Sequence, residues 1–386
     1  MIQHLFKLIW KKRKSNFLIM LEIFVAFFIL FAVSSLSVYF YWGYIKPSGI
    51  NTDNVWVAYV DFNSNNDSLN RINRDLLKQK VKNFKEIKSF SFGSHFPYGN
   101  SNSTRGFDFN GKVLQSEVMS AEETYPSVLG LKMQAGEWFK DADTLQRTRP
   151  IVITQHLKEE MFGNEDAIGK VRVNDDNATK EKVVGVIPNF KFQNDYQSND
   201  NCILQPMDFT SGYLVLKTDP SVSADFEAHF AKSLQQLGKI WTVQINHMED
   251  MKKEKNHNVI TPLIIAFIVC GFLIINVAFG LFGVLFQNIN RRKGEIGVRR
   301  AMGATGRDIQ GQFVGEMVVL ATFSIALGLF FAVQFPLLNV FDVAASIYMW
   351  GMLLAVAAVY AIVVSCAWFP SRQAAAIHPA MALHDE

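Results

Sequence analysis

The residues best suited to a functional role lie between Asn290 and Ile309, where basic and apolar side chains alternate between two long apolar runs. Val298, Ala301 and Met302 are spaced i, i+3 and i+4, which places them on one face of a short helix. Such residue types supply charge and an apolar surface rather than bond-making chemistry. A basic segment between two membrane-length helices belongs on the cytoplasmic side of a membrane. A segment that only sets topology would have the same composition.

The same stretch contains signals for the ends of helices. Gly303 can end the short helix, since glycine adopts the left-handed conformation that closes a helical turn. Thr305, with Asp308 three residues later, predicts a capping box that opens the next membrane helix.

The rest of the sequence shows no signature of a reaction centre. The chain has no GxxxxGK[ST] phosphate loop, no GxSxG and no HExxH motif. Its 8 His are scattered and its 3 Cys lack zinc-ligand spacing. We therefore expect a protein that is not an enzyme and binds neither a cofactor nor a metal.

Apolar residues make up 49% of the 386 residues, and they are concentrated in four stretches of membrane-spanning length. The predicted transmembrane helices cover 17–44, 259–286, 312–338 and 343–369. The net charge of +3 is accounted for by basic residues beside these stretches, so no nucleic-acid partner is indicated. Within the spans only Glu22 and Glu316 are charged, and Asp342 lies in the outer turn, which argues against a proton or ion pathway.

The remaining membrane-proximal segments follow from these spans. Residues 1–16 have apolar positions at helical spacing followed by basic residues, which predicts an amphipathic helix on the inner leaflet; a disordered basic tail is the alternative. The first apolar run is too long for a cleaved signal peptide. The hairpin at 287–311 and the tail at 370–386 are predicted on the cytoplasmic side as well. Both termini are therefore expected in the cytoplasm.

Residues 46–258 form the predicted extracytoplasmic domain. Strand, helix and strand patterns follow one another over 55–62, 66–84 and 87–93, and again over 212–218, 222–237 and 239–246. The segment between these two β-α-β halves, roughly 97–207, contains mostly strand patterns. The charged run 247–258 leads straight into the second span, as one continuous helix would. The predicted fold is thus an α-helical membrane protein with four transmembrane helices and a large extracytoplasmic α+β domain.

The string GEIGVRRAMGAT in the hairpin resembles the cytoplasmic loop of FtsX-like and MacB-like permeases of ABC transporters. In the outer domain, YPSVLGLKMQAGEWF, PIVITQHLKEEMFGNEDAIGK and VVGVIPNF resemble the MacB-like periplasmic core domain. The resemblance covers nearly the whole chain. It implies a bacterial inner membrane, a periplasmic domain with a porter-like part and a β-rich insert, and an FtsX-like permease region over 259–386.

In that family the loop holds a coupling helix that docks on an ATPase, and the permease works by mechanotransmission. The resemblance implies that the ATPase contact is made by Glu295, Ile296, Val298, Arg299, Arg300, Ala301 and Met302. ATP would be bound by that partner. Because the sequence begins at the amphipathic segment and contains no phosphate loop, the ATPase is expected on a separate chain.

Two functions of different class remain open at this point. The first is export of a peptide, drug or lipid-type substrate, with a second permease copy or a paralogue, a periplasmic adaptor, an outer-membrane channel and membrane lipids as partners. The alternative is an FtsX-like regulator that switches a cell-envelope enzyme or a lipoprotein-handling partner. The large outer domain favours export, since the FtsX branch has a smaller one. A membrane-anchored sensor would need a cytoplasmic signalling domain, and the longest inside segment is the hairpin.

Overall fold

A computed structural model describes residues 13–140, 143, 148–173, 180–196, 201–207, 212–238 and 240–375. The chain divides into two compact units. The membrane unit comprises the residues up to Trp42 and those from Ile260 onward, and the β-rich unit comprises Gly43–Val259. Most of the predicted N-terminal amphipathic helix and of the predicted tail lies outside the described residues.

The helices and strands follow one another along both units. They are α1 (Arg13–Ile45), β1 (Val55–Asp61), α2 (Asp67–Lys82), β2 (Ile87–Gly93), β3 (Thr104–Phe109), β4 (Lys112–Ala121), α3 (Tyr125–Leu129), β5 (Ala135–Gly136), β6 (Thr148–Thr154), α4 (Gln155–Phe162), β7 (Val171–Val173), β8 (Lys180–Ile187), β9 (Cys202–Pro206), β10 (Tyr213–Thr218), α5 (Ala224–Leu237), β11 (Thr242–His247), α6 (Met248–Arg291), α7 (Lys293–Ala301), α8 (Gly306–Ala332), α9 (Gln334–Leu337), a 3-10 turn (Val340–Asp342) and α10 (Ala345–Ala375).

Within the described part of the chain, four helical segments are long and apolar enough to cross a membrane: Phe17–Ile45, Met248–Arg291, Gly306–Leu337 and Ala345–Ala375. With the strand-rich second unit, they confirm the predicted fold class. α6 is continuous from the charged run into the membrane segment, as the sequence predicts.

The fourth membrane helix differs from the prediction at its end. The sequence predicts a span that stops at Phe369, but α10 passes through Pro370 and ends at Ala375. Proline inside a helix costs about 3 kcal/mol through the lost hydrogen bond and the ring clash. Here Pro370 and Ala374 are both buried, and the Ser371 hydroxyl donates to Ala367 O at 2.5 Å. Packing of this face therefore holds the helix together.

Glycines let α1 approach each of the other three membrane helices closely. An added Cβ at any of these glycines would overlap a side chain of α1. Small residues at such positions allow helix backbones to come together where lipid gives no hydrophobic driving force. The overlapping pairs are Glu22 with Gly280 of α6, Phe27 with Gly328 of α8, and Ser35 with Gly351 of α10.

The described strands of the β-rich unit form one sheet, in the order β11-β1-β10-β2-β4-β9-β6-β8-β5, with β3 beside β4 and β7 beside β8. β10 lies antiparallel between β1 and β2, so the two predicted β-α-β halves interleave in one half of the sheet. The last predicted strand, at 239–246, begins only at Thr242. Leu77 of α2 and Phe230 of α5 are fully buried in the core of this half.

The inserted strands join the first half of the sheet at a single residue pair, Gly93 with Ala121. The strands of the first half pair only antiparallel to one another. Beyond the junction two pairs are parallel, β4 with β9 and β6 with β8. A second apolar core lies under the inserted strands, around Ile151 and Leu157. The two parts of the unit thus share one sheet, and a third core, which includes Val57 of β1, Val215 of β10 and Leu204 of β9, packs across both parts.

The loop that follows β8 holds the two chain segments by which the β-rich unit continues into the membrane helices. Lys191 Nζ donates to Tyr44 O at 3.2 Å, beside the end of α1. Asp195 accepts from Asn256 Nδ2 at 2.8 Å and pairs with Lys252 Nζ at 3.2 Å, both in the first turns of α6. We call this segment, residues 188–196, the clamp loop.

Candidate functional site

The candidate site is the hairpin that connects α6 to α8. The chain leaves α6 at Arg291, bends at Arg292 and enters the short helix α7. Gly303 closes α7 with a φ of +98°, a conformation that an L side chain adopts only with strain. Ala304 N donates to Arg299 O at 3.0 Å and completes the turn.

The start of α8 is fixed by the capping box that the sequence predicts. Asp308 N donates to Thr305 Oγ1 at 3.3 Å, and Thr305 N donates to Asp308 Oδ2 at 2.9 Å. This reciprocal pair satisfies two backbone donors at the helix end. The hairpin is therefore held at both ends by local interactions.

α7 presents an apolar stripe on its outer face. Val298 is 46% exposed and Met302 is 77% exposed, and Ala301 between them is exposed as well. Glu295 is exposed one turn before this stripe. Among the described residues of the membrane unit, none buries these side chains, so the stripe is open to solvent.

Ile296, which the resemblance places in the ATPase contact, lies on the inner side of α7. It is only 3% exposed and belongs to the core of the membrane unit, together with Ile289, Ile309 and Phe313. The i, i+3, i+4 spacing of the exposed stripe puts Ile296 on the opposite side of a short helix. Its role is to anchor α7 to the membrane helices.

A polar network holds the inner side of the hairpin. Arg292 Nη1 lies 3.0 Å from both carboxylate oxygens of Glu316, and both side chains are largely buried. Gln312 Nε2 donates to Glu316 Oε1 at 3.1 Å. Arg299 donates to Gln312 Oε1 and, at 2.6 Å, to Glu295. The network links the bend before α7 to the first turns of α8.

The two arginines of α7 are both half-buried. Arg299 donates to Gln312 as well as to Glu295, and Arg300 Nη1 lies 3.5 Å from Ala304 O. The sequence draws attention to Glu316 only as an ionisable residue near a membrane boundary. A buried carboxylate there needs a cation close by, and Arg292 is the partner.

Among the described residues, no group of three or more His, Cys, Asp or Glu side chains could hold a metal ion. The candidate site is a hairpin whose outer face combines three apolar side chains with flanking charge.

Two family models match the chain. The MacB-like periplasmic core domain matches residues 16–245, and the FtsX-like permease C-terminal region matches residues 265–379. Together the two matches include the β-rich unit as far as residue 245, most of the membrane helices and the hairpin.

Curated relatives are similar over most of this chain. The macrolide export ATP-binding/permease protein MacB of Bdellovibrio bacteriovorus is 26% identical over 313 residues, which are 74% of this chain and 46% of that protein. The pyoverdine export ATP-binding/permease protein PvdT of Pseudomonas syringae is 25% identical over 291 residues, 72% of this chain and 44% of that protein. The chain thus spans about half the length of the curated relatives it matches.

Among solved structures, the periplasmic region of MacB from Actinobacillus actinomycetemcomitans is 18% identical, with a TM-score of 0.38. The matched region covers 53% of this chain and 94% of the chain in that structure.

Proposed function

This chain belongs to the family of ABC transporter permeases that combine a MacB-like periplasmic core domain with an FtsX-like C-terminal region, and we propose that it couples ATP hydrolysis on a partner ATPase to movement of its β-rich unit. The hairpin docks on the ATPase, and α6 carries the motion outward. The work is done on a substrate or partner outside the membrane.

The exposed stripe of Val298, Ala301 and Met302 is the observation that supports this proposal. Protein interfaces use apolar contacts for affinity, while surrounding charges fix orientation and specificity. The basic residues around α7 favour the cytoplasmic side for the hairpin, which is where an ATPase would be. The buried side chains of Ile296 and Arg292 hold α7 against the membrane helices, so that movement of a bound partner is passed on to them.

The proposed assembly contains two permease copies, or this chain and a paralogue, with two ATPase chains. The β-rich unit then lies in the periplasm, and both termini lie in the cytoplasm. We propose export of a peptide, drug or lipid-type substrate, because the family match to a MacB-like core domain covers the β-rich unit as far as residue 245. The curated relatives named for macrolide and pyoverdine export support the same class of function.

The docking assignment is tested with Met302→Glu. A carboxylate in the middle of the apolar stripe must be desolvated when the partner binds, so we expect association to weaken by at least about 2 kcal/mol, roughly 30-fold. Tagged protein is purified in mild detergent, and the bound protein that carries a GxxxxGK[ST] phosphate loop is quantified by mass spectrometry.

Lys293→Gln is the matched control, because it changes the charge by the same amount on an exposed position of α7 away from the stripe. It should retain the ATPase. If Met302→Glu retains as much ATPase as the unchanged protein, the hairpin is not the docking site.

A further inference from the structure

The membrane unit contains an apolar groove that the coupling function does not use. Its volume is about 380 Å³, and it lies between α1 and the segment that joins α8 to α10. The residues that line it are described throughout, and none of them is charged. We propose that this groove is a binding site for one acyl chain of a membrane phospholipid.

One wall of the groove is a continuous stripe on α1. Its residues recur at i, i+3, i+4, i+7, i+8 and i+11, which is one face of a helix. They are Phe28, Phe31, Ala32, Ser35, Leu36 and Tyr39. The facing wall is formed by Phe335, Phe341, Val343, Ile347 and Tyr348.

The length and depth of this stripe match one leaflet of a bilayer. From Phe28 to Tyr39 the helix rises about 16 Å, and half of a hydrocarbon core is about 15 Å thick. Phe28 lies near the middle of the apolar run, while Tyr39 begins the aromatic cluster that is typical of a membrane interface. The groove therefore runs from the interface to the midplane, in the leaflet on the side of the β-rich unit. This is the path of a single extended acyl chain.

The outer lip of the groove is held in a strained conformation. Phe341 has a φ of +60°, an outlier for a bulky residue, and its side chain is 84% exposed. Tyr348 Oη donates to Val340 O at 2.8 Å and fixes this turn above the groove. Strain of this kind persists where the surrounding structure over-determines it, and it clusters at ligand clamps. The strained turn keeps an aromatic ring at the mouth, where it can close over a bound chain.

The test uses the full-length protein in vesicles of phosphatidylethanolamine and phosphatidylglycerol that contain a phosphatidylcholine with a photoreactive diazirine in the middle of one acyl chain. After illumination, labelled peptides are mapped by mass spectrometry. We expect label concentrated in 28–39 and 335–348. No ATPase is needed, so the result is independent of the docking experiment.

Ala32→Trp fills the groove from its exposed side and should lower labelling of these segments about tenfold. Ala357→Trp is the matched control, since Ala357 is an exposed alanine of α10 outside the groove, and its labelling should equal that of the unchanged protein. Should Ala32→Trp fail to give a monodisperse protein, Leu36→Trp blocks the same wall.

Three results would overturn the proposal. Label spread evenly over the membrane helices would show an ordinary lipid-facing surface. A groove that stays unlabelled in the unchanged protein would mean that another protein surface, such as a second copy, covers it. Displacement of the label by an equimolar diacylated lipopeptide would assign the groove to a lipidated substrate instead of a membrane lipid.

Discussion

At the scale of single residues, the hairpin depends most on the pair between Arg292 and Glu316. Arginine presents a planar fork that can meet both oxygens of a carboxylate, and here one nitrogen reaches both at 3.0 Å. The side chains are only 12% and 16% exposed, so neither charge is well solvated without the other. Removing one partner of such a pair costs more than replacing both with apolar residues.

The first prediction follows from this asymmetry. In Arg292→Leu or Glu316→Leu alone, amide hydrogen exchange over residues 295–302 should accelerate by about 10- to 100-fold, because a buried charge is left unpaired. In the double variant, exchange should be slower than in either single variant. Additive effects in this double-mutant cycle would show that the two side chains act independently.

At the scale of elements, the clamp loop determines how the β-rich unit holds the start of α6. Burial alone would raise the pKa of Asp195, but hydrogen bonds from Asn256 and Tyr98 and the charge of Lys252 lower it below its usual value. A carboxylate with a lowered pKa in the folded state stabilises the fold above its unfolded pKa. That contribution is lost as the pH falls through the folded pKa.

The second prediction is a pH-dependent release of this loop. Exchange of amides 190–196 should be slow at neutral pH and should accelerate, relative to the intrinsic rate, as the pH falls below about 4. Asp195→Asn should show roughly 10- to 100-fold faster exchange already at neutral pH, since charge-assisted hydrogen bonds are lost, and little further pH dependence. Asp53→Asn, at an exposed aspartate, serves as the control. The clamp is refuted if the two variants behave alike.

Some features of the helices and strands can be predicted from the sequence, and others cannot. The Thr305–Asp308 capping box and the helix–strand order of both β-α-β halves were predictable, because short-range spacing encodes them. The single pair that joins the two parts of the sheet, Gly93 with Ala121, was not, because strand pairing over such distances leaves no local pattern.

The same limit applies to the candidate site. The exposed stripe was visible in the spacing of Val298, Ala301 and Met302. The burial of Ile296 and the hydrogen bond from Arg299 to Gln312 were not, since they depend on where α8 lies beside α7. Similarly, Pro370 suggests a helix end, and only tertiary packing overrides it.

At the scale of the whole molecule, Asn276 points to self-association. This residue lies within the membrane segment of α6, and its Nδ2 donates to Phe272 O of the same helix at 2.8 Å. Its side chain is exposed on the surface of the membrane unit, and the structure gives its amide oxygen no partner among the described residues. A polar group facing lipid is unfavourable, and a second copy of α6 would supply a partner.

The third prediction is that Asn276→Leu weakens the proposed dimer. The expected loss is on the order of 1 kcal/mol, about fivefold in the dimer dissociation constant, as for other hydrogen bonds between membrane helices. Sedimentation equilibrium in detergent measures it, with the exposed neighbour Ile275→Leu as control. An unchanged dissociation constant for Asn276→Leu would remove this residue from the interface.

The three glycine contacts of α1 have a consequence for the order of biosynthesis. Gly280, Gly328 and Gly351 all lie beyond the β-rich unit in the sequence, so none of them exists when α1 enters the bilayer. The ribosome must first synthesise Gly43–Val259, which at about 5–20 residues per second takes roughly 10 to 40 s. For that time α1 lacks its contacts with these three helices, and Glu22 faces lipid or a helper protein instead of α6. Nascent chains are therefore most exposed to membrane quality control before the second span is made.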